Sequence, residues 1–175
     1  KIRSEIKDYL PYKVVHVEHA EADDIIARFI HLHPNDTHYI ISTDGDYNQL
    51  LNKNVSQYNG VTNELITIEG YFKDNGKQVL NKDKTPKLLE DKPDYLLFKK
   101  IIRGDAGDNV FSAYPGVREK GTKNSVGIKE AYEDRLDQGF KWNNFMLQRW
   151  TDHNKVEHRV KESLDVVILT LANRL

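Results

Sequence analysis

The stretch HYIISTDGDYNQLL, residues 38–51, joins a short apolar run to two aspartates that flank one glycine. The run from Tyr39 to Ser42 predicts a buried β-strand, because strands covered on both faces read as short continuous apolar segments. Asp44 and Asp46 follow at the point where this strand ends. Crowded carboxylates repel each other and lose hydration, so a helix cap, a turn or a bound cation has to compensate.

The residues upstream predict a strand and a helix that lead into this strand. Val14 to Val17 is a β-branched run, and EHAEADDIIARFIHLH (residues 18–33) carries apolar residues at helical spacing. A strand, a helix and a strand in under 30 residues form a βαβ unit with a parallel sheet. Ligands of such sheets bind outside the carboxyl ends of the strands, so we expect the acids of residues 18–24 and 44–46 to meet at one edge.

The residues downstream predict a hairpin and then helices. Asn59-Gly60 lies between two extended runs, and the polar residues 69–93 are predicted to be a loop. PDYLLFKKIIRGD (residues 93–105) predicts a helix that Gly104 ends, and further helices are predicted at roughly 126–137, 142–150 and 155–174. We therefore expect an α/β core over residues 1–110 and a helical region over residues 111–175.

Composition narrows the classes of function. The 175 residues include no cysteine, which excludes disulfides, thiolate metal sites and a cysteine nucleophile and fits a reducing cytosol. Apolar runs are only a few residues long, so no membrane span is predicted. The formal net charge is −1, so any attraction to nucleic acid has to come from a local group of charges.

Three acidic clusters follow the ends of predicted elements: Glu21, Asp23 and Asp24; Asp44 and Asp46; Asp105 and Asp108. Taken singly, each has an ordinary explanation as a helix cap or a glycine turn. A calcium EF-hand loop is disfavoured at the second cluster, because its sixth and twelfth positions are Gln49 and Val55 rather than glycine and glutamate.

Taken together, the three clusters favour a metal site. Carboxylates without histidine or cysteine partners select Mg²⁺ or Mn²⁺ over zinc. Two such ions on one acidic edge are a known arrangement for hydrolysing phosphodiesters. The sequence therefore indicates a two-metal phosphodiesterase.

The segment YPGVREKGTKNSVGIKEAYEDR, residues 114–135, is rich in glycine and basic residues. It is either a solvated loop or a helix-hairpin-helix, in which backbone N–H groups and lysines contact DNA phosphates. The candidate nucleic-acid-binding residues are Gly116, Arg118, Lys120, Gly121, Lys123, Gly127 and Lys129.

The order of EADD (residues 21–24), ISTDGDYNQLL (41–51) and IIRGDAGDNV (101–110) resembles the structure-specific 5′ nucleases. That family includes flap endonucleases, the 5′-nuclease domain of bacterial DNA polymerase I and phage 5′–3′ exonucleases, and the T-even phage ribonuclease H branch is the most similar. The resemblance covers roughly residues 9 to 111 and implies a PIN-like fold followed by a helix-hairpin-helix-like region.

The resemblance implies roles for individual residues. Glu21 and Asp23 match ligands of a first metal ion, with Asp24 beside them. Asp44 and Asp46 match bridging ligands, and Asp105 and Asp108 match ligands of a second ion. The four catalytic residues implied are Glu21, Asp23, Asp44 and Asp46. The family also holds a K⁺ ion at its DNA-binding hairpin, but here REKGTKNS stretches the usual compact motif.

The resemblance also implies a biological role. The expected enzyme is a 5′–3′ exonuclease and flap endonuclease that removes RNA primers during phage replication, in the cytoplasm of a bacterial host. Its partners would be branched or flapped DNA and RNA–DNA duplexes, with a single-strand-binding protein or a sliding clamp. The family begins with an aspartate-bearing strand and a basic arch, which we expect before Lys1, so weak activity is expected of this chain alone. An inactive DNA-binding module and a PIN-type ribonuclease stay open as alternatives.

Overall fold

The computed structural model describes residues 2–107 and 109–172, so the predicted ligand Asp108 lies outside the described residues. Internal contacts divide the chain into two compact units, Lys1–Leu89 and Glu90–Leu175. The expected division at residue 110 between a nuclease core and a DNA-binding region stays a prediction. None of the described helices is long and apolar enough to cross a membrane.

The first unit combines two helices, a 3-10 helix and a four-stranded sheet in the order β1-β2-β3-β4. Its elements are α1 (Ile2–Tyr9), α2 (Ala22–Leu32), β1 (His38–Ile41), the 3-10 helix (Gly45–Leu50), β2 (Val55–Asn59), β3 (Glu64–Thr67) and β4 (Gly70–Lys73). β1 and β2 are parallel, whereas β3 and β4 continue the sheet in antiparallel fashion. The α/β class is confirmed, but the predicted parallel sheet is limited to the β1–β2 pair.

The strand predicted at Val14 to Val17 is wrong. These residues adopt no regular structure, and Val15 and Val17 are exposed. A β-branched run becomes a strand only when a neighbour pairs with its backbone, and no strand in the described part of the chain does so. The acids of residues 18–24 therefore do not follow a strand and lie instead at the start of α2.

Helix α2 packs on the parallel part of the sheet. Ile26 and Ile30, at helical spacing, contact a buried cluster formed by Ile40, Tyr47 and Val55. Only residues 33–37 connect α2 to β1, so the helix runs back along the strand that follows it. This arrangement places the start of α2 near the carboxyl end of β1.

The polar segment predicted as a loop is partly ordered into sheet. Residues 60–63 connect β2 and β3, which confirms the hairpin at Asn59-Gly60 with a longer turn. β4 then pairs with β3, and the bridges Phe72–Gln78 and Leu80–Pro86 extend this layer. Buried Glu64 draws the segment inward, because its carboxylate pairs with the ammonium groups of Lys73 and Lys87.

The second unit is mainly helical. Its elements are α3 (Pro93–Arg103), α4 (Ile128–Asp134), α5 (Phe140–Leu147), β5 (Arg149–Thr151), β6 (Glu157–Arg159) and α6 (Val160–Ala172). The predicted helices are confirmed with different bounds: α5 begins two residues before the predicted start, and residues 173–174 of the last predicted helix lie outside the described residues. The β5–β6 hairpin takes up the end of the helix predicted at 142–150 and the start of the helix predicted at 155–174. It is held because Trp150 stacks on His158 and the Asp152 carboxylate accepts hydrogen bonds from Asn154, Val156 and His158.

Candidate functional site

The turn after β1 is held by its own side chains. Asp44 N–H donates to Ser42 Oγ at 3.1 Å, and Asp44 Oδ1 accepts from Asp46 N–H at 2.9 Å. Asp44 is thus the N-cap of the 3-10 helix, which bears out a helix cap as an ordinary role within the second acidic cluster. Both carboxylates are exposed at the end of the strand, where they were predicted.

The first acidic cluster surrounds the start of α2. Asp24 accepts a hydrogen bond from Glu21 N–H at 3.4 Å, and Asp23 Oδ1 accepts from Asp24 N–H at 3.0 Å. Negative charge here complements the helix dipole, so capping accounts for part of the cluster. However, Glu21, Asp23, Asp24 and Asp44 form no ion pair with any residue in the described ranges.

Tyr47 is affected by one acid from each of the first two clusters. Its side chain is buried in the first-unit core. Burial raises the pKa of the Tyr47 phenol, and the negative charges of Asp23 and Asp44 raise it further. The geometry agrees, because Ala22 at the start of α2 and Ser42 at the end of β1 line one cavity together with Tyr47. Two acids that are 21 positions apart in the chain thus act on one point.

The donor chemistry of this edge fits a hard divalent cation. Carboxylate oxygens are the preferred ligands of Mg²⁺ and Mn²⁺, and their mutual repulsion would be relieved by such an ion. Nevertheless, within residues 2–107 and 109–172 no three acidic or histidine side chains are grouped as a metal site. The sharing of one edge by all three clusters stays a prediction.

The third acidic turn belongs to the second unit. Asp105 and Val110 exchange two backbone hydrogen bonds, of 2.9 and 2.8 Å, which form the predicted tight turn. The Asp105 carboxylate accepts from Gly107 N–H at 2.9 Å and pairs with Lys100 Nζ at 2.8 Å. Sequence reasoning missed Lys100, although its place in the last turn of α3 puts it within reach of the next loop.

The glycine-rich segment is tightly closed. Gly127 N–H donates to Glu130 Oε2 at 2.8 Å, Ile128 N–H to the Arg118 carbonyl at 3.0 Å, and Lys129 N–H to the Glu119 carbonyl at 3.1 Å. We expected backbone N–H groups here to contact phosphates. These three are engaged within the protein, so phosphate contact would require breaking existing hydrogen bonds.

The side chains of the same segment separate by charge. Glu119 turns inward to Arg103 and Tyr95, and Glu130 turns to the backbone at Gly127. The basic segment, which we define as Arg118, Lys120, Lys123 and Lys129, is exposed and has no ion pair among the described residues. The charge that this segment presents to solvent is therefore positive.

Gln57 is a further residue that the sequence did not single out. It is 1% exposed on β2, and its Nε2 donates to the carbonyls of Ser42 and Asp44 at 2.9 and 2.7 Å. A signal was available, since Gln57 alternates with the inward-facing Val55 on the same strand.

Comparison with known proteins gives limited likeness. No protein-family model matches the chain, and no curated protein matches it in sequence. Among solved structures, a mutant of the T5 5′-exonuclease is 19% identical with a TM-score of 0.46, covering 94% of this chain and 57% of that chain. A T5 protein co-crystallised with metal ions is 20% identical with a TM-score of 0.44, covering 89% and 49%. The chain spans about half the length of these structures.

Proposed function

We propose that the chain carries the acidic site of a divalent-metal-dependent 5′ nuclease that acts on branched or flapped DNA and RNA–DNA duplexes. The observation that carries this proposal is that the start of α2, which bears Asp23 and Asp24, and the turn after β1, which bears Asp44 and Asp46, border one cavity, because Ala22, Ser42 and Tyr47 line it together. The resemblance of EADD, ISTDGDYNQLL and IIRGDAGDNV to the 5′-nuclease motifs supports the same activity.

The proposed ligands are carboxylates at the carboxyl end of β1 and the start of α2: Glu21, Asp23, Asp24, Asp44 and Asp46. A bound Mg²⁺ or Mn²⁺ would activate water and neutralise a phosphodiester. The protein's own part would be to hold these charges on one edge, and both clusters lie in exposed segments of the first unit. Asp105 and Asp108 are proposed as ligands of a second ion. To bind it, the Asp105 carboxylate would have to give up its ion pair with Lys100 in favour of the metal.

The basic segment is proposed to hold the nucleic acid through side-chain charge. Three backbone N–H groups of the turn are occupied, whereas Arg118, Lys120, Lys123 and Lys129 are exposed. Contacts of this kind attract phosphates without reading the bases, as a structure-specific enzyme requires. Gly116, Gly121 and Gly127 would shape the turn, and a K⁺ ion there remains part of the proposal.

Mn²⁺ titration tests the acidic site. At 100 times the dissociation constant, a ligand stabilises the folded state by about 2.7 kcal/mol, which corresponds to a rise in Tm of roughly 5–10 °C. We expect Asp44→Asn to abolish most of this rise. Asp36→Asn is the matched control, because Asp36 is an exposed acid in the connection after α2. An equal loss in both variants, or no rise in the parent protein, contradicts the metal site.

Salt dependence of binding to a flapped duplex tests the basic segment. Each phosphate contact contributes about 0.9 to the slope of log K against log salt. We expect the double substitution Lys120→Gln and Lys123→Gln to lower this slope by up to about 1.8. Lys82→Gln with Lys84→Gln removes the same charge from an exposed turn of the first unit and should leave the slope unchanged.

A DNA-binding accessory module without catalysis is the second candidate. The observation that favours it is that no three acids are grouped as a metal site within the described ranges. Binding of branched DNA with neither a Mn²⁺ response nor cleavage would support this candidate. Cleavage of RNA hairpins in preference to DNA flaps would instead identify a PIN-type ribonuclease.

A further inference from the structure

Gln57 connects the middle of β2 to the acidic turn after β1. Its Nε2 donates to the Ser42 carbonyl at 2.9 Å and to the Asp44 carbonyl at 2.7 Å. The two acceptors lie 15 and 13 positions earlier in the chain, so the contact depends on the parallel pairing of β1 and β2, in which Ile40 is the register partner of Gln57.

A neutral primary amide suits the chemistry of this position. One side-chain nitrogen has to supply two hydrogens to two carbonyls, which a hydroxyl or a carboxylate cannot do. The opposite orientation of the amide would place Oε1 against both carbonyls, so the acceptors fix the assignment. Oε1 itself is buried without a hydrogen-bond donor in the described structure. An uncompensated buried acceptor is costly, and an apolar side chain at this position would avoid that penalty.

The contact acts on the direction of the Asp44 carboxylate. Within the turn, Asp44 already donates to Ser42 Oγ and accepts from Asp46 N–H. Those bonds set the local shape of the turn, but they join only residues of the turn itself. Ser42 N–H also donates to the Tyr58 carbonyl at 3.1 Å, which continues the pairing of β1 and β2 as far as Ser42. Gln57 adds a side-chain connection on both sides of Thr43 and extends it to Asp44.

We propose that Gln57 is a positioning residue. By anchoring the Ser42 and Asp44 carbonyls, it orients the Asp44 carboxylate toward the proposed cation site at the carboxyl end of β1 and the start of α2. The cation part of this inference rests on the proposed function. The anchoring part does not, because it concerns the metal-free protein.

Gln57→Met is the informative substitution. Methionine keeps a similar volume and length, so the packing beside Val55 is retained while both hydrogen bonds are lost. It also removes the unpaired Oε1, and we therefore expect the Tm to change by less than about 4 °C. Asn54→Leu is the matched control, because Asn54 Nδ2 donates to the Pro34 carbonyl at 3.0 Å, beside the amino end of β1.

Amide hydrogen exchange, measured by NMR without metal, is the first readout. We expect the Asp44 and Asp46 amides, which the turn protects, to exchange about 10-fold faster in Gln57→Met, as the loss of a hydrogen-bonded anchor implies. The control should leave them unchanged. Unchanged exchange in Gln57→Met, or an equal acceleration in both variants, overturns the positioning role.

Mn²⁺ affinity is the second readout. Loss of a residue that holds a metal ligand in place typically weakens metal binding by about 10–100-fold. We therefore expect the Mn²⁺ affinity of Gln57→Met to fall by that factor, while the affinity of the control stays within about 2-fold of the parent. An affinity equal to that of the parent overturns the role in cation binding. If the parent protein binds no Mn²⁺, the proposed function fails, while hydrogen exchange still decides whether Gln57 anchors the turn.

Discussion

Gly127→Ala would act on a close backbone approach in the second unit. A Cβ atom at Gly127 would lie 2.5 Å from Gly121 N, 2.5 Å from the carbonyl carbon of Lys120 and 2.6 Å from the Glu119 carbonyl oxygen. All three atoms belong to the backbone, so no flexible side chain can move aside. Ordinary contact begins near 3.4 Å, so the start of α4 and the segment 119–121 must separate by about 0.8–0.9 Å.

The separation has a cost that follows from the hydrogen bonds across this contact. Ile128 N–H to the Arg118 carbonyl and Lys129 N–H to the Glu119 carbonyl, at 3.0 and 3.1 Å, would lengthen beyond hydrogen-bonding range. Two such bonds contribute about 1–3 kcal/mol together, and overpacking adds about 1–3 kcal/mol. We therefore expect the free energy of unfolding to fall by about 4 kcal/mol, with a decrease in Tm of roughly 8–16 °C.

Urea denaturation followed by tryptophan fluorescence measures this change. Both tryptophans of the chain, Trp142 and Trp150, pack against the core of the second unit, so their emission reports on that unit. The control is Gly45→Ala, because a Cβ at Gly45 meets nothing within 4 Å and its φ is not left-handed. Its free energy of unfolding, followed by circular dichroism, should change by no more than about 0.5 kcal/mol. A loss below about 1 kcal/mol in Gly127→Ala would refute the close-packing argument.

Two pH-dependent predictions follow from ionisable side chains. Burial alone would raise the pKa of Glu64, but Lys73 and Lys87 outweigh it and lower the pKa below 4.5, so its stabilisation is present above pH 4.5 and is lost as the pH falls further. Glu64→Gln should therefore lower the free energy of unfolding by about 1–3 kcal/mol at pH 7. In urea titrations at several pH values, it should also reduce the fall in this free energy below pH 4.5. A fall equal to that of the parent would contradict the prediction. Burial and the hydrogen bond to Asp94 raise the pKa of Tyr132 from 10.0 to about 12, so its stabilisation is complete below pH 10 and is lost as the pH rises toward 12. Tyr132→Phe should reduce the fall in the free energy of unfolding between pH 10 and pH 12, measured by urea denaturation with tryptophan fluorescence. A fall equal to that of the parent would show that another group is responsible.

The helices were predictable because their determinants are local. Pro93 at the start and Gly104 at the end delimit α3, and the apolar spacing of residues 25–30 identifies α2. The strand at Tyr39 and the hairpin at Asn59-Gly60 rest on equally short patterns. Each of these signals acts between residues a few positions apart, which is the range that periodicity and turn chemistry describe.

The errors come from partners that lie far away along the chain. Val14 to Val17 has the composition of a strand but finds no strand to pair with in the described structure, whereas residues 70–73, in the segment predicted as a loop, become a strand by pairing with β3. The N–H groups of Ile128 and Lys129 are taken by carbonyls ten positions earlier. Composition does not encode which distant group occupies a donor or an acceptor.

By itself the sequence determined which residue types gather at the ends of elements: acids after β1 and before α2, and glycines with cations after α3. Only the tertiary structure decided that Asp23 and Asp44 act on one phenol, that Gln57 reaches back 13 positions to hold the Asp44 carbonyl, and that the glycine turn presents lysines rather than free N–H groups. The physical reason is that chemical character belongs to each side chain, whereas orientation and charge compensation depend on which backbone is packed beside it.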